Sequence, residues 1–189
     1  MMEKGIITGD LVNSSEIAAA HRQVVAGSLN AVVEDLSPLS AMRLEMFRGD
    51  SFQVVVDTAE HALTAALAFR VRLKASTPEK TDAWDARVSV GIGEVSYESD
   101  SIVTSDGEAF RLSGRAFDEL GKKRLTFASP DADLNEKAEL NTRFADDVVT
   151  ALTPKQARIV YHALLHPHKT KKEMAEELGM SSQNFNNVW

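Results

Sequence analysis

The sequence predicts an α+β fold in which an antiparallel sheet carries helices on one face, followed by a small helical module. Three observations support this prediction. Short apolar or alternating segments are interleaved with longer segments of helical periodicity. Two of the short segments flank a tight turn that contains glycine. The chain has 189 residues, which suffice for one domain of ordinary size and an additional module.

The first half of the chain is expected to follow the order βαββαβ. Residues 4–9 form a short buried strand that ends at Asp10, and Ser14 or Ser15 caps a long helix that ends before Pro38. The next segments are strands over residues 42–47 and 52–56, a helix over residues 59–74 and a strand over residues 86–97. This order is that of a ferredoxin-like layout.

The second half is expected to be mainly helical. A helix over residues 109–120, a short strand over residues 124–128 and a helix over residues 131–149 precede the last segment. We therefore divide the chain into a body (residues 1–130), a connecting helix (residues 131–152) and a tail (residues 153–189).

Charge is distributed unevenly between these parts. The chain has a net charge of −7 at pH 7. Five basic and three acidic residues from Thr153 onward give the tail a charge of +2, which leaves −9 for residues 1–152. An acidic body argues against wrapping nucleic acid, whereas a mildly basic tail suggests a separate binding task.

The composition favours a cytoplasmic protein. The sequence contains no cysteine, which excludes disulfides and thiolate metal sites and suits a reducing compartment. Neither a signal peptide nor an apolar run long enough to cross a bilayer is visible, so we expect no membrane partner.

The tail contains the pattern of a helix-turn-helix. Thr153 and Thr170 each begin a helix, and Gln156 and Glu173 follow three residues later, as in a capping box. Pro154 also suits a first helical turn. The tail is therefore expected to form closely connected helices.

The spacing inside the tail indicates DNA reading. Ala175 permits a close helix crossing, Gly179 suits a left-handed C-cap, and Phe185 fills the core. The third helix is expected to be cut short at Trp189, because recognition helices usually continue for another turn. Its exposed amides suit adenine edges, and neighbouring hydroxyl and ammonium groups suit phosphates. The residues expected to contact DNA are Lys171, Ser181, Ser182, Gln183, Asn186 and Asn187.

Two carboxylates are expected to meet at one end of the sheet. Asp10 ends the first strand, and Asp50 lies in the hairpin, where Gly49 permits an unusual backbone angle. Facing carboxylates repel each other, so a divalent cation with a nucleotide phosphate would be a natural ligand. The alternative is ordinary turn chemistry, because aspartate at strand ends bonds its own backbone.

The body resembles the catalytic domain of class III nucleotide cyclases. The matching segments are Asp10-Leu11, Gly49-Asp50, Val90–Val95 and Gly107–Arg115. The resemblance implies that Asp10 and Asp50 hold Mg²⁺ or Mn²⁺ and that Gly49, Arg111 and Arg115 lie at the nucleotide. It also implies a head-to-tail homodimer, in which Arg115 of one subunit meets the aspartates of the other. Arg111 stands where the family has asparagine, which favours binding over turnover.

A cyclase-like body followed by a helix-turn-helix resembles the SatD family of bacterial proteins, over nearly the whole chain. We therefore expect a bacterial transcription regulator whose body senses a nucleotide or a related metal–phosphate ligand, rather than an enzyme. Two alternatives stay open. One is a metal-dependent nucleotide cyclase or nucleotidyltransferase, and the other is a non-catalytic protein-interaction module.

Three other features are interpreted structurally. His162 and His166 are one helical turn apart, but no carboxylate or cysteine joins them in the sequence, so they are assigned to a helix terminus. The cations at positions 70–74 are likewise assigned to the end of a helix. Trp84 is expected to pack against a loop.

Overall fold

Six strands and seven α-helices form within residues 3–189, the part of the chain that this computed structural model describes. The strands are β1 (Glu3–Leu11), β2 (Met42–Phe47), β3 (Ser51–Val56), β4 (Ala86–Tyr97), β5 (Asp106–Gly107) and β6 (Leu125–Ala128). The helices are α1 (Arg22–Asp35), α2 (Ala62–Ala75), α3 (Glu108–Asp118), α4 (Ala132–Ala151), α5 (Pro154–Leu165), α6 (Lys171–Glu177) and α7 (Ser182–Val188). None of these helices is both long enough and apolar enough to cross a membrane.

The strands form a sheet with the order β2-β3-β1-β4-β5. Strand β1 lies between β3 and β4 and is antiparallel to both, and β2 is antiparallel to β3. Strand β6 pairs with β4 in the parallel sense, so the sheet is mixed rather than purely antiparallel. The expected α+β class and the order βαββαβ up to Tyr97 are therefore observed.

Helices cover both faces of the sheet, and the expectation of helices on one face is wrong. Ile7 of β1 packs into the main core with α1 and α2, whereas Ile6 packs with Ala109 of α3 on the opposite face. Two glycines on β4 permit this approach. A Cβ atom at Gly91 would lie 2.4 Å from the backbone nitrogen of Ser113, so α3 packs directly on the strand backbone.

The first helix begins later than the sequence predicts. Two short 3₁₀ turns, Ser14–Glu16 and Ala19–His21, precede α1, which begins at Arg22. Asn13 adopts a left-handed conformation with φ of 52°, which reverses the chain after β1. The Ser14 hydroxyl bonds to another loop and does not cap a helix.

Helix α5 packs against the body. Ala157 and Tyr161 belong to the main hydrophobic core, and the Tyr161 hydroxyl donates a hydrogen bond to Asp35 of α1 at 2.7 Å. The guanidinium of Arg72 lies 5.2 Å from the centre of the Tyr161 ring. Helices α5 and α2 therefore share one core. The division of the chain at residue 153 stays a prediction.

The last three helices have a second, smaller core. It is built from Ile159 of α5, Met174 and Ala175 of α6, and Phe185 of α7. Both predicted capping boxes are present, and Gly179 has φ of 65° after α6. Because α5 contributes to both cores, it connects the short helices α6 and α7 to the body.

Candidate functional site

The register of the sheet brings Asp10 and the β2–β3 hairpin together. Asp10 pairs with Ser51, the residue after Asp50, and the backbone nitrogen of Leu11 donates to the carbonyl of Asp50 at 3.0 Å. Asp10, near the end of β1, and Asp50, in the turn directly before β3, therefore lie at the same end of the sheet.

Asp10 is paired with an arginine that the sequence did not single out. Arg87 at the start of β4 lies across from Asp10, and its Nη2 donates to Asp10 Oδ2 at 2.7 Å. The side chains are 24% (Asp10) and 40% (Arg87) exposed, so both remain accessible to solvent. The guanidinium lies 5.4 Å from the centre of the Phe117 ring, which holds it at the strand end.

Asp50 has a different partner. The Ser14 hydroxyl donates to Asp50 Oδ2 at 2.8 Å. The hairpin places Arg48 and Gly49 at φ of 55° and 86°, and glycine adopts such an angle without steric cost. The carboxylate of Asp50 is therefore held between the hairpin and the turn that follows β1.

The two arginines of α3 do not reach these carboxylates. Arg111 is exposed and donates to Asp106 at 3.0 Å. Arg115 is exposed, and within residues 3–189 no hydrogen bond or ion pair joins it to Asp10 or Asp50. Ser113, between them in the sequence, is the buried residue of this helical turn. The two arginines lie on the other side of the helix and therefore point away from the sheet. The nucleotide-binding role of Gly49, Arg111 and Arg115 stays a prediction.

A cleft of about 510 Å³ lies next to this end of the sheet. The cleft is lined by the turn after β1, which includes Asn13, by the loop before β4, which includes Trp84, and by Arg124 just before β6, but not by Asp10 or Asp50. Trp84 is buried, and its ring centroid lies 5.6 Å from that of His21. The expectation that Trp84 packs against a loop is confirmed.

A buried cluster of charged side chains lies behind the cleft. Arg70 is fully buried and binds both oxygens of Asp85 at 3.0 Å. Its remaining nitrogen donates to Asp146 of α4 at 2.8 Å. Arg124 donates to Asp85 at 2.8 Å, and Lys74 lies 3.7 Å from the same oxygen. Arg70 and Lys74 are therefore buried ion-pair residues. Lys74 lies in the last turn of α2, as the sequence predicts, whereas Arg70 lies further inside the helix.

The cluster shifts the ionisation of its members. Burial alone would raise the pKa of Asp85, but the hydrogen bonds from Arg70 and Arg124 outweigh it, and the net pKa is lowered. Burial lowers the pKa of Lys74, against the attraction of Asp85. The cluster connects α2, β4 and α4, and its role is structural.

The residues predicted to read DNA lie on the outer side of the last helices. Ser181 caps α7 by accepting a hydrogen bond from the Asn184 backbone at 3.2 Å. The Lys171 ammonium lies 5.3 Å from the centre of the Trp189 ring. The remaining candidates are exposed on α7: Ser182, Gln183, Asn186 and Asn187. Their side chains are free to meet a partner, and their DNA contacts stay a prediction.

The histidine pair has a carboxylate neighbour that sequence spacing did not show. Glu177, the last residue of α6, lies against His162, with 2.7 Å between Oε2 and Nε2. His166 lies beside them, and the ligand atoms of all three fall within 4.8 Å of one another. The interpretation of the histidines as helix-terminus residues only is therefore incomplete.

No protein-family model and no curated protein matches the chain. Among solved structures, the catalytic core of a rhodopsin-guanylyl cyclase in complex with ATPalphaS is 13% identical, with a TM-score of 0.48 over 62% of this chain and 72% of that one. The active GGEEF domain of a diguanylate cyclase from Vibrio cholerae is 15% identical, with a TM-score of 0.47 over 69% of this chain and 84% of that one.

A bacterial light-regulated adenylyl cyclase is 13% identical, with a TM-score of 0.46 over 74% of this chain and 80% of that one. All three are structures of nucleotide cyclases.

Proposed function

We propose that the Asp10 end of the sheet binds a nucleoside triphosphate together with Mg²⁺ or Mn²⁺. The register that places Asp10 beside the hairpin of Asp50 is the observation that supports this most. Both carboxylates are partly exposed, and the Ser14 hydroxyl adds a third oxygen. Oxygen donors of this kind are those that Mg²⁺ and Mn²⁺ prefer, so these residues fit a divalent metal.

The surrounding residues suit a triphosphate. Asp10 and Asp50 would hold the metal, which offsets the negative charge of the phosphates when it is bound. Arg87 presents a partly exposed guanidinium at the same position and suits a phosphate oxygen. The hairpin backbone is accessible at Gly49, because a Cβ atom added there would lie 4.0 Å from Arg22 Nη1, its nearest neighbour. Arg87 of β4 and Arg22 of α1 could therefore both contact a phosphate.

A second copy of the chain would complete this site. Arg115 projects from the outer side of α3, where only another molecule can bring it to the aspartates. A head-to-tail homodimer with two equivalent sites satisfies this requirement. In that arrangement, a mixture of Asp10→Asn and Arg115→Ala chains contains heterodimers with one intact site. Mixing the two variants is expected to restore about one quarter of the wild-type nucleotide sites.

The nucleotide site is common to the two functional hypotheses. In the first, the chain is a cytoplasmic bacterial regulator, and the occupied site changes the affinity of the last helices for DNA. In the second, the chain is a metal-dependent cyclase or nucleotidyltransferase that turns the nucleotide over. Arg111 in place of the asparagine of the cyclase pattern favours binding without fast turnover.

The test is a thermal-shift matrix of each nucleoside triphosphate with and without Mn²⁺. A ligand that binds only the folded state raises the melting temperature by mass action. The variants are Asp10→Asn and Asp50→Asn, and the matched control is Asp57→Asn. Asp57 is also a strand-end carboxylate in an ion pair, with Lys4 at 2.8 Å, but it follows the opposite end of β3.

A metal-dependent shift in wild type and in Asp57→Asn, absent in Asp10→Asn, supports the proposal. Product analysis of the same samples then separates the sensor from the enzyme. No shift with any triphosphate would refute the proposal. The body would then be a non-catalytic module, and DNA binding by the last helices would be tested on its own.

We further propose that α5 to α7 bind DNA. The arrangement that favours this is a tight connection at Gly179 between two capped helices, with amide side chains exposed on α7. Gln183 and Asn186 suit hydrogen bonding to adenine in the major groove, and phosphate contacts would make the binding salt-dependent.

Selection from a random duplex pool tests DNA binding without a known operator. The full chain is expected to enrich a sequence whose affinity falls with salt and is lost in Asn186→Ala and Gln183→Ala. Asn30→Ala, at an exposed asparagine on α1, is the control and is expected to retain binding. The absence of any enriched sequence with the wild-type chain would contradict DNA recognition.

A further inference from the structure

A second cluster of potential metal ligands lies far along the chain from Asp10, where α5 and α6 end. It consists of His162, His166 and Glu177, whose ligand atoms all lie within 4.8 Å of one another. Nothing in the proposed nucleotide site uses these residues. Two imidazoles and one carboxylate form a donor set that transition metals bind well, unlike the oxygen donors near Asp10.

The two histidines are held on one side of α5. The backbone nitrogen of His166 donates to the carbonyl of His162 at 3.0 Å, so the side chains follow each other by one helical turn. Their ring centroids are 4.7 Å apart. The His162 side chain is only 17% exposed, which restricts its orientation.

Glu177 is positioned by packing that does not depend on the histidines. It is the last residue of α6, a helix whose start is fixed by the capping box of Thr170. Met174 of the same helix packs against Ile159 of α5 in the smaller core. The approach of Glu177 to His162 is therefore set by helix packing, and the donor set is assembled before any metal arrives.

A cation already lies at this carboxylate. The Lys169 ammonium contacts the two oxygens of Glu177 at 2.6 Å and 2.8 Å. The Lys169 side chain is 32% exposed and can turn outward into solvent.

We propose that His162, His166 and Glu177 bind one Zn²⁺ ion, which displaces the Lys169 ammonium. Three protein ligands with one position left for water is a common zinc arrangement, with bonds of about 2.0–2.1 Å. Tetrahedral ligands at those distances lie about 3.4 Å apart, so metal binding requires His162 Nε2 and Glu177 Oε2 to move apart from 2.7 Å and the more distant ligand atoms to move closer. The ion would link the end of α5 to the end of α6 and fix α6 and α7 against the body.

Calorimetric titration with zinc chloride tests the proposal on the untagged full chain after chelation and desalting. We expect one equivalent of Zn²⁺ per chain, with affinity reduced at least about tenfold in His166→Ala and in Glu177→Gln. His168→Ala is the matched control, because His168 is an exposed neighbour outside the cluster. Its affinity is expected to equal that of wild type.

Two further readouts distinguish this site from a surface effect. Lys169→Met removes the competing cation and is expected to tighten Zn²⁺ binding. Co²⁺ in place of Zn²⁺ is expected to give the visible absorption of a tetrahedral centre, which His166→Ala abolishes. Asp10→Asn is expected to leave Zn²⁺ binding unchanged, so failure of the nucleotide site and failure of this site are separable. Absence of stoichiometric Zn²⁺ binding, or equal binding in wild type, His166→Ala and Glu177→Gln, would overturn the proposal.

Discussion

Substitution of Arg70 by methionine is expected to destabilise the fold strongly. Arg70 donates four hydrogen bonds from a fully buried position: two to Asp85, one to Asp146 and one to Thr150. Methionine fills much of the same volume but donates none of them. The substitution therefore leaves a carboxylate with no solvent exposure facing fewer cations than in the wild type.

The remaining contacts set the size of the effect. Removal of one partner from a buried ion pair typically destabilises by about 3–5 kcal/mol. Asp85 keeps Arg124 at 2.8 Å and Lys74 at 3.7 Å, so we expect the lower end, about 3 kcal/mol. For a chain of this size, that corresponds to a fall in melting temperature of about 6–12 °C.

Urea unfolding followed by circular dichroism measures this change. The control is Arg43→Met, which breaks the ion pair of Arg43 with Glu98, where both side chains are 40% exposed. Exposed pairs contribute about 0–1 kcal/mol, so this variant should lie close to wild type. If the free energy of unfolding of Arg70→Met also lies within about 1 kcal/mol of the wild-type value, the buried ion pairs of Arg70 do not stabilise the fold as we infer.

Three further predictions concern the fold. Gly91→Ala is expected to destabilise by about 1–3 kcal/mol, because its Cβ would meet the α3 backbone, whereas Gly114→Ala, with no neighbour within 4 Å, should be neutral or stabilising in the same unfolding assay. The pKa of Asp85 is lower in the fold than its ordinary value of 3.8. The stability that the ionised carboxylate contributes is therefore complete above pH 3.8 and is lost as pH falls through the folded pKa. Unfolding titrations between neutral pH and about pH 3 should therefore show a smaller fall in the free energy of unfolding in Asp85→Asn than in wild type. Equal falls would contradict a lowered pKa of Asp85 in the fold. Thr170→Ala removes the cap of α6 and is expected to lower stability by about 1 kcal/mol, with Thr81→Ala, in an exposed loop, as the unaffected control.

Local signals in the sequence predicted much of the secondary structure. The strands at residues 42–47 and 86–97 have the bounds that apolar alternation predicts. The caps at Thr153, Thr170 and Ser181 are also where the sequence places them. Capping and alternation depend on residues a few positions apart, so one sequence contains the necessary information.

Contacts between distant residues could not be predicted in the same way. Arg87 pairs with Asp10 across 77 positions, and Arg70 pairs with Asp146 across 76. These pairs depend on strand register and helix docking, which only the assembled fold defines. Helices on the second face of the sheet could not be predicted for the same reason. The lack of a side chain at Gly91 indicates close packing only when α3 is known to lie against it.

The candidate nucleotide site was predicted in part. Asp10 and Asp50 lie at the same end of the sheet because β1 and β3 are neighbours, as the βαββαβ order requires. The contacts of Arg87 with Asp10 and of Ser14 with Asp50 could not be predicted from the sequence, because each partner comes from a separate element.

Calorimetric titration of the wild-type chain with a nucleoside triphosphate, with and without Mn²⁺, measures whether the Asp10 end of the sheet binds a metal–nucleotide complex. We expect heat of binding only when Mn²⁺ is present, and its loss in Asp10→Asn but not in Asp57→Asn. Binding of equal strength without metal, or binding that survives in Asp10→Asn and Asp50→Asn alike, would contradict a metal–nucleotide site at this end of the sheet.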